Sequence, residues 1–390
     1  MTADQAPDAL ATASVDVGAI SANVRALRAL APGSALMAVV KADGYGHGLL
    51  SSARAARVGG ADWLGVALLA EAVTLRDSGV GGRIFTWLHV PGTDFSAALT
   101  RDIDLSVSAL WALEQVAAAA RTCGRVARIH LKVDTGLARN GAFGDDFTEL
   151  LAAARRLEVQ GLVSVVGVWS HFVYADEPQH PTVREQQRLF EAAVGRAERA
   201  GCRLEVRHLA NSAATLTNPA VHYDLVRPGI AVYGLSPVPQ LGAPADFGLT
   251  PAMTLTARLA NVKRVPAGQG VSYGHAYRTS QETVVGLVPL GYADGIPRNA
   301  SNVGPVSVAG VRRTVAGRVC MDQFVIDLGP DSTSEAGDPV VLFGADPAGP
   351  SAQDWADVTG TISYEIVTRI GPRVPRVPSG THPDQEDLAP

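Results

Sequence analysis

The chain reads as an α/β protein with an N-terminal (β/α)8 barrel followed by a mostly β C-terminal domain. Three observations carry this. From residue 35 onward, eight short apolar runs alternate with amphipathic helical stretches, the pattern of parallel strands joined by crossover helices. Pro237, Pro239, Pro244 and Pro251 then crowd with glycines into 236–251, which reads as a domain linker. Beyond the linker the apolar period shortens to two, as strands require.

The apolar runs are 35–40, 63–67, 83–88, 105–107, 127–133, 162–168, 204–208 and 225–227, and the clearest helical patterns between them are 108–121, 145–157 and 182–200. Eight strand–helix units within about 200–250 residues is what a closed barrel needs. An open doubly wound sheet would more often carry a glycine-rich dinucleotide fingerprint after its first strand, and Gly44-Tyr45-Gly46-His47-Gly48 is not that fingerprint. In the second half, Leu255, Ala257 and Leu259 alternate, as does Val303 to Val311, and a helical piece follows at 363–370. The polar, proline-containing stretch from Pro378 to Pro390 predicts a disordered tail. The expected domains are therefore 1–245 for the barrel, 246–380 for the β domain and 381–390 for the tail.

Composition narrows the function. With 47% hydrophobic and 18% charged residues the chain is an ordinary folded protein. A formal net charge of −5 without a basic cluster argues against nucleic acid. Cys123, Cys202 and Cys320 are few, odd in number and far apart, which suits a reducing compartment and neither a disulfide framework nor a metal cluster. The histidines never gather at metal-ligand spacing. Residues 1–16 lack a basic segment followed by an apolar stretch, and no run approaches the ~20 apolar residues that span a bilayer. The expectation is a cytoplasmic protein with no membrane partner.

In a barrel, reactive residues belong at the C-terminal ends of the strands. Lys41 leaves the first apolar run into a glycine-rich turn; Lys132 ends the fifth, ahead of Asp134 and Arg139. His171 follows the sixth, Asn211 and Ser212 the seventh, and Arg227-Pro228-Gly229-Ile230 ends the eighth. Singly, each reads equally as a loop or capping residue; five at one rim point to a shared pocket. A desolvated lysine at a strand end loses its proton readily, and its neutral amine attacks carbonyls to give a Schiff base. Ser212 at a helix start, the amides of Gly229 and Ile230, and the Tyr45 hydroxyl supply donors for a phosphate. This is the donor set of an anionic, carbonyl-bearing cofactor such as pyridoxal phosphate.

The segment Val39 to Gly48 resembles the cofactor-lysine segment of alanine racemases. Further matches to that family are Lys132 to Arg139, Ser170-His171-Phe172, His208 to Ala213, Arg227 to Ile230, Val271 to Gly274, Gly291 to Gly295, Cys320-Met321-Asp322 and Tyr364-Glu365-Ile366. They run in order along almost the whole chain. Ala138 departs from the pattern, which has glycine before the residue matching Arg139.

The resemblance implies a homodimer of barrel-plus-β subunits with active sites shared across the interface. Lys41 would hold pyridoxal phosphate and act as base on one face of the substrate, and Tyr273 from the partner subunit would serve the other face. Arg227 would face the pyridine nitrogen, with His171, Asn211 and Tyr45 among the cofactor contacts and Tyr364 helping Ser212, Gly229 and Ile230 at the phosphate. Arg139, Tyr292 and Met321 would line the substrate side. Lys132 would be carbamylated and position Arg139. The implied activity is interconversion of L- and D-alanine, supplying D-alanine for peptidoglycan. Three rivals stay open on the residues alone: a racemase of the same family acting on serine or a broader set, a barrel-type amino-acid decarboxylase, and a non-catalytic pyridoxal phosphate carrier. An arginine rather than an acid at the pyridine nitrogen speaks against the decarboxylase, and the β domain against the carrier.

Overall fold

The computed structural model describes residues 9–380, which divide into two compact units. One comprises Ile20–Gly44 and Leu49–Leu249; the other takes the chain from Thr250 onward together with Tyr45–Gly48 and the residues preceding Ile20. The chain therefore changes unit at 249/250, where the sequence suggested 245/246. The larger difference is at the N-terminus: β1 (Ala11–Asp16) belongs to the β unit and not to the barrel.

The barrel unit holds eight parallel strands. They are β2 (Ala35–Val39), β3 (Trp63–Leu68), β4 (Arg83–Leu88), β5 (Ile103–Val107), β6 (Ala127–Lys132), β7 (Val163–Trp169), β8 (Val206–His208) and β9 (Leu225–Val226). Seven follow one another side by side from β2 to β8, and β9 pairs with β2 on its other edge. Asp224 N–H donates to the Arg207 carbonyl at 3.2 Å, joining the β9 end of the row to β8. Strands covered on both faces need continuous apolar runs, which is why eight such runs were visible in the sequence. The helix Leu110–Cys123 stops at Gly124, which takes the left-handed conformation at φ 62°. The helix Pro181–Arg199 starts with proline in its first turn, and the side chain of His180 accepts the Thr182 N–H.

Met37, Trp63, Phe85, Trp169, Val206 and Leu225, one from each of six barrel strands, form a buried cluster. Full burial of such side chains stabilises by roughly 1.5–3 kcal/mol each. His130 and His208 are buried beside this cluster, their rings 4.5 and 5.5 Å from that of Phe85. The β6–β7 register shifts between Ile129 and His130, and Gly167 makes room, since a Cβ there would lie 2.5 Å from His130 Nδ1.

The β unit contains a six-stranded sheet in which β1 sits between β10 (Met253–Arg258), antiparallel, and β19 (Arg376–Ser379), parallel. Ala11, Ala13 and Val15 supply the buried alternation of β1. The sequence shows that alternation but not a partner some 240 residues away. Pro378 and Ser379 pair within β19, so the tail expected from Pro378 does not start there; residues 381–390, where it was also expected, lie outside the described residues. The alternation at 303–311 becomes a hairpin of Pro305–Val308 and Val311–Thr314. The helical piece at 363–370 is the helix Ser363–Thr368. Among the described residues no helix is long and apolar enough to cross a membrane.

Candidate active site

Lys41 lies two residues beyond β2, where the backbone does something rare. Ala42, Asp43, Gly44, Tyr45 and Gly46 are all left-handed, with φ between 52° and 81°. For non-glycine residues this costs roughly 1–2 kcal/mol each, so other bonds must hold the turn. Gly44 N–H donates to the Val40 carbonyl at 2.9 Å, Ala42 N–H to Glu71 Oε1 at 2.6 Å, and Leu49 N–H to Asp43 Oδ1 at 2.7 Å. The glycines allow close approach to the protein itself: a Cβ on Gly44 would sit 2.5 Å from Ser52 Oγ, and one on Gly46 would sit 2.4 Å from the Val367 carbonyl oxygen.

Around Lys41 the barrel rim is cationic. Lys132, the last residue of β6, is buried with Nζ 4.3 Å from the centre of the Trp169 indole. Burial, then Arg139, Arg227 and Lys41, bring its pKa down to about 7, with Asp134 opposing. Burial and Arg139 likewise lower Lys41, against the pull of Glu71. His171 is held well below the usual histidine range by burial and by Arg227, Arg139, Lys132 and Lys41, so its ring is neutral. More cations than anions act on these groups, and an anion is the physical remedy. Asp134 Oδ1 is occupied locally, accepting the amides of Gly136 and Ala138 at 2.8 and 3.2 Å. Ala138 is itself left-handed at φ 54°, which gives the physical reason for a glycine at that position.

Arg227 follows β9 directly and is buried. Its Nη2 donates to the carbonyls of Ser170 and Leu209 at 2.8 and 3.2 Å, and its Nη1 lies 3.3 Å from His208 Nδ1. Burial lowers its pKa to about 9, which still leaves the guanidinium charged at neutral pH. Behind it, His208 Nε2 is 2.8 Å from His130 Nδ1, and His130 Nε2 is 3.3 Å from Asp104 Oδ2. Burial, then Arg227 and His130, keep His208 neutral. With Asp104 and the His208–Arg227 contact at the two ends, each ring donates in one direction and accepts in the other. Sequence reasoning missed this line; its one trace is polar residues spaced through otherwise apolar strands.

Ser212 and the chain after β9 form a compact donor nest. Ser212 Oγ accepts the Gly229 N–H at 2.7 Å and the Ala231 N–H at 3.4 Å, leaving its own proton to be donated. Gly229 therefore spends its amide on Ser212. Ile230 opens a short 3-10 turn, where an N–H has no acceptor within the turn. Asn211 caps the next helix, its Oδ1 accepting the Ala214 N–H at 3.1 Å.

The β unit carries its own cluster. Tyr45 is buried, which raises its hydroxyl well above the usual tyrosine range, and its ring centre is 6.3 Å from that of Tyr364. Tyr273 and Tyr292 sit in 3-10 turns, and both are exposed, as is Met321. The segments bearing Tyr292 and Met321 are tied together: Tyr292 N–H donates to the Cys320 carbonyl at 3.0 Å and Ala293 N–H to the Met321 carbonyl at 2.9 Å. Arg373, a residue the sequence reading passed over, bridges Asp294 at 3.1 Å and Asp322 at 2.7 Å.

The chain matches two family models, "Alanine racemase, N-terminal domain" over residues 15–237 and "Alanine racemase, C-terminal domain" over 252–378. It is 57% identical over 370 residues to an alanine racemase of Frankia casuarinae, covering 95% of this chain and 96% of that one. An alanine racemase of Streptomyces coelicolor is 58% identical over 373 residues, covering 94% and 95%. The crystal structure of an alanine racemase from D-cycloserine-producing Streptomyces lavendulae superposes with a TM-score of 0.94 at 58% identity, covering 96% of this chain and 98% of that one.

Proposed function

Because the chain belongs to the alanine racemase family, we propose that Lys41 and the partner subunit's Tyr273 act as its two proton-transfer groups in a cytoplasmic homodimer. The protein interconverts L- and D-alanine with pyridoxal phosphate, the source of D-alanine for peptidoglycan. One observation carries the site assignment: Arg139 acts on Lys41, and Arg139, Arg227 and Lys41 act on Lys132, with few acids to offset them, and Ser212 keeps a buried hydroxyl proton to give. That donor set fits an anionic phosphate and aldehyde.

Lys41 would hold the cofactor, with Ser212, Ile230, Tyr45 and Tyr364 at its phosphate and Arg227 at its ring nitrogen. Bound there, pyridoxal phosphate supplies an aldehyde for amine exchange and a ring that takes up negative charge as the α-proton leaves. Lys41 has its pKa lowered, which raises its free-amine fraction and suits it to accept a proton from one face. Arg227 is held by acceptors at both its terminal nitrogens and remains charged at neutral pH, so at the ring nitrogen it would donate a hydrogen bond without surrendering a proton. A weaker electron sink follows, which favours simple proton return over decarboxylation or transamination. Arg139, with Lys132 beside it, would take the substrate carboxylate, and Tyr292 and Met321 would bound the space for the side chain.

The test is direct. Purified protein should be yellow and convert L-alanine to D-alanine, with L-serine and larger amino acids turned over more slowly. A colourless protein that gains neither colour nor activity with added pyridoxal phosphate would refute the reading.

A further inference from the structure

Building on the reading of Tyr45 and Tyr364 as phosphate-side groups, we infer that Arg376 is a positioning residue whose guanidinium brackets the left-handed segment Tyr45–Gly48 and so presents the Tyr45 hydroxyl to the phosphate. Its Nε donates to the Gly46 carbonyl at 2.9 Å, and its Nη1 to the carbonyls of Gly371 and Val374 at 2.7 and 2.8 Å. Its Nη2 donates to the Ile370 carbonyl. One planar fork thus gathers four backbone carbonyls from two stretches of chain far apart in sequence. A lysine, with a point charge and three clustered donors, cannot span that set.

The bracket is fixed at both ends. Arg376 is the first residue of β19, in register with Ala13 of β1. Gly46 packs its α-carbon so near the Val367 carbonyl that a Cβ would come within 2.4 Å. Val367 lies in the helix Ser363–Thr368, which also bears Tyr364. The Tyr45 carbonyl meets His47 Nδ1 at 3.0 Å. Tyr45 is left-handed at φ 52°, a conformation a tyrosine adopts only under constraint. The Arg376 bond one residue downstream is such a constraint. The register of β19 sets Arg376, Arg376 sets Gly46, and Gly46 sets Tyr45 beside Tyr364.

The test uses the holoenzyme with Arg376→Ala and Arg376→Lys, the lysine variant deciding the matter if the alanine variant does not fold. Cofactor release on dilution should quicken about tenfold, the scale of one lost charge-assisted hydrogen bond. The phosphorus resonance of the bound phosphate should shift or broaden, and amide exchange over 45–49 should accelerate. Release and phosphorus resonance equal to wild type would overturn the inference, even if the melting temperature fell, because a merely structural arginine would do only that. Borohydride labelling of the same samples separates the two readings. A label away from Lys41 would sink the site assignment, while the exchange over 45–49 would still report on the bracket.

Discussion

The barrel rim and the β-unit cluster are built on opposite terms. At the rim, Lys132 and Arg227 are buried at 3% and 6% exposure, and the neighbouring cations add to burial in lowering Lys41, Lys132 and His171. In the β unit, Tyr273, Tyr292 and Met321 remain 69%, 44% and 54% exposed, although the segments bearing Tyr292 and Met321 are tied by paired amides and by Arg373 between Asp294 and Asp322. Rigid backbone beneath exposed aromatic side chains suits groups that wait for a second surface. The rim has its chemistry built in; the β cluster has its geometry built in.

The contrast is broken most severely at Lys41. Lys41→Ala should lower racemisation on the order of 10⁴-fold or more, since one group supplies both the covalent anchor and a base. In the unmutated holoenzyme, borohydride followed by peptide mapping should place the pyridoxyl group on Lys41 and on no other lysine.

Tyr273→Phe comes next, with an expected loss of about 10²- to 10⁴-fold. Racemisation must fall equally in both directions, because the substrates fix the equilibrium constant. Exchange of the α-hydrogen should be unequal, surviving better from D-alanine, whose face the family resemblance gives to Lys41. Mixing Tyr273→Phe with Lys41→Ala subunits should restore part of the activity, as one site in the mixed dimer is intact. Equal exchange losses for both enantiomers and no rescue would leave the shared-site dimer without support.

Lys132 sharpens the electrostatic side. A lysine with a pKa near 7 is largely uncharged in mild alkali and open to carbon dioxide, and its carbamate would place an anion beside Arg139. Density at the Lys132 tip should show a planar extension. Stripping carbon dioxide should cost roughly ten- to a hundredfold through misplacement of Arg139. An unmodified ammonium without a counter-ion would contradict this. In the stripped protein the pH effect has a definite sign. Between pH 7 and 10.5 the unfolded chain holds the Lys132 proton and the folded chain does not, so stability rises with pH across that window. The penalty is fully present below pH 7. Lys132→Met should flatten that part of a urea-unfolding profile.

The smallest effect belongs to Ala138. Replacing a left-handed alanine (φ 54°) by glycine relieves strain and loses some unfolded-state restriction. The net expectation is a gain on the order of 1 kcal/mol. A urea midpoint that fails to rise would show the strain to be absorbed elsewhere.

The rim was legible because its signals are local. Lys41, Lys132, His171, Asn211 and Arg227 each sit at or just past the end of an apolar run, and in a parallel barrel all such ends share one side. What supports the rim was not legible. Asp104, His130 and His208 lie on β5, β6 and β8, and their contact depends on a register shift and on Gly167, neither of which has a mark in the sequence. The glycines at 44 and 46 announced a tight turn, but whether they approach a ligand or the protein's own carbonyls is decided by what is packed opposite.

By itself the sequence determined the eight parallel strands, the change to period two and the identity of the reactive side chains, because strand burial and residue chemistry are properties of short segments. Only the tertiary structure decided that β1 joins the β unit between β10 and β19, that five successive residues after Lys41 turn left-handed, and that Arg376 reaches Gly46. Each of these depends on a partner hundreds of residues distant or on φ angles that other bonds must hold, and the energy that settles them comes from contacts no local window contains.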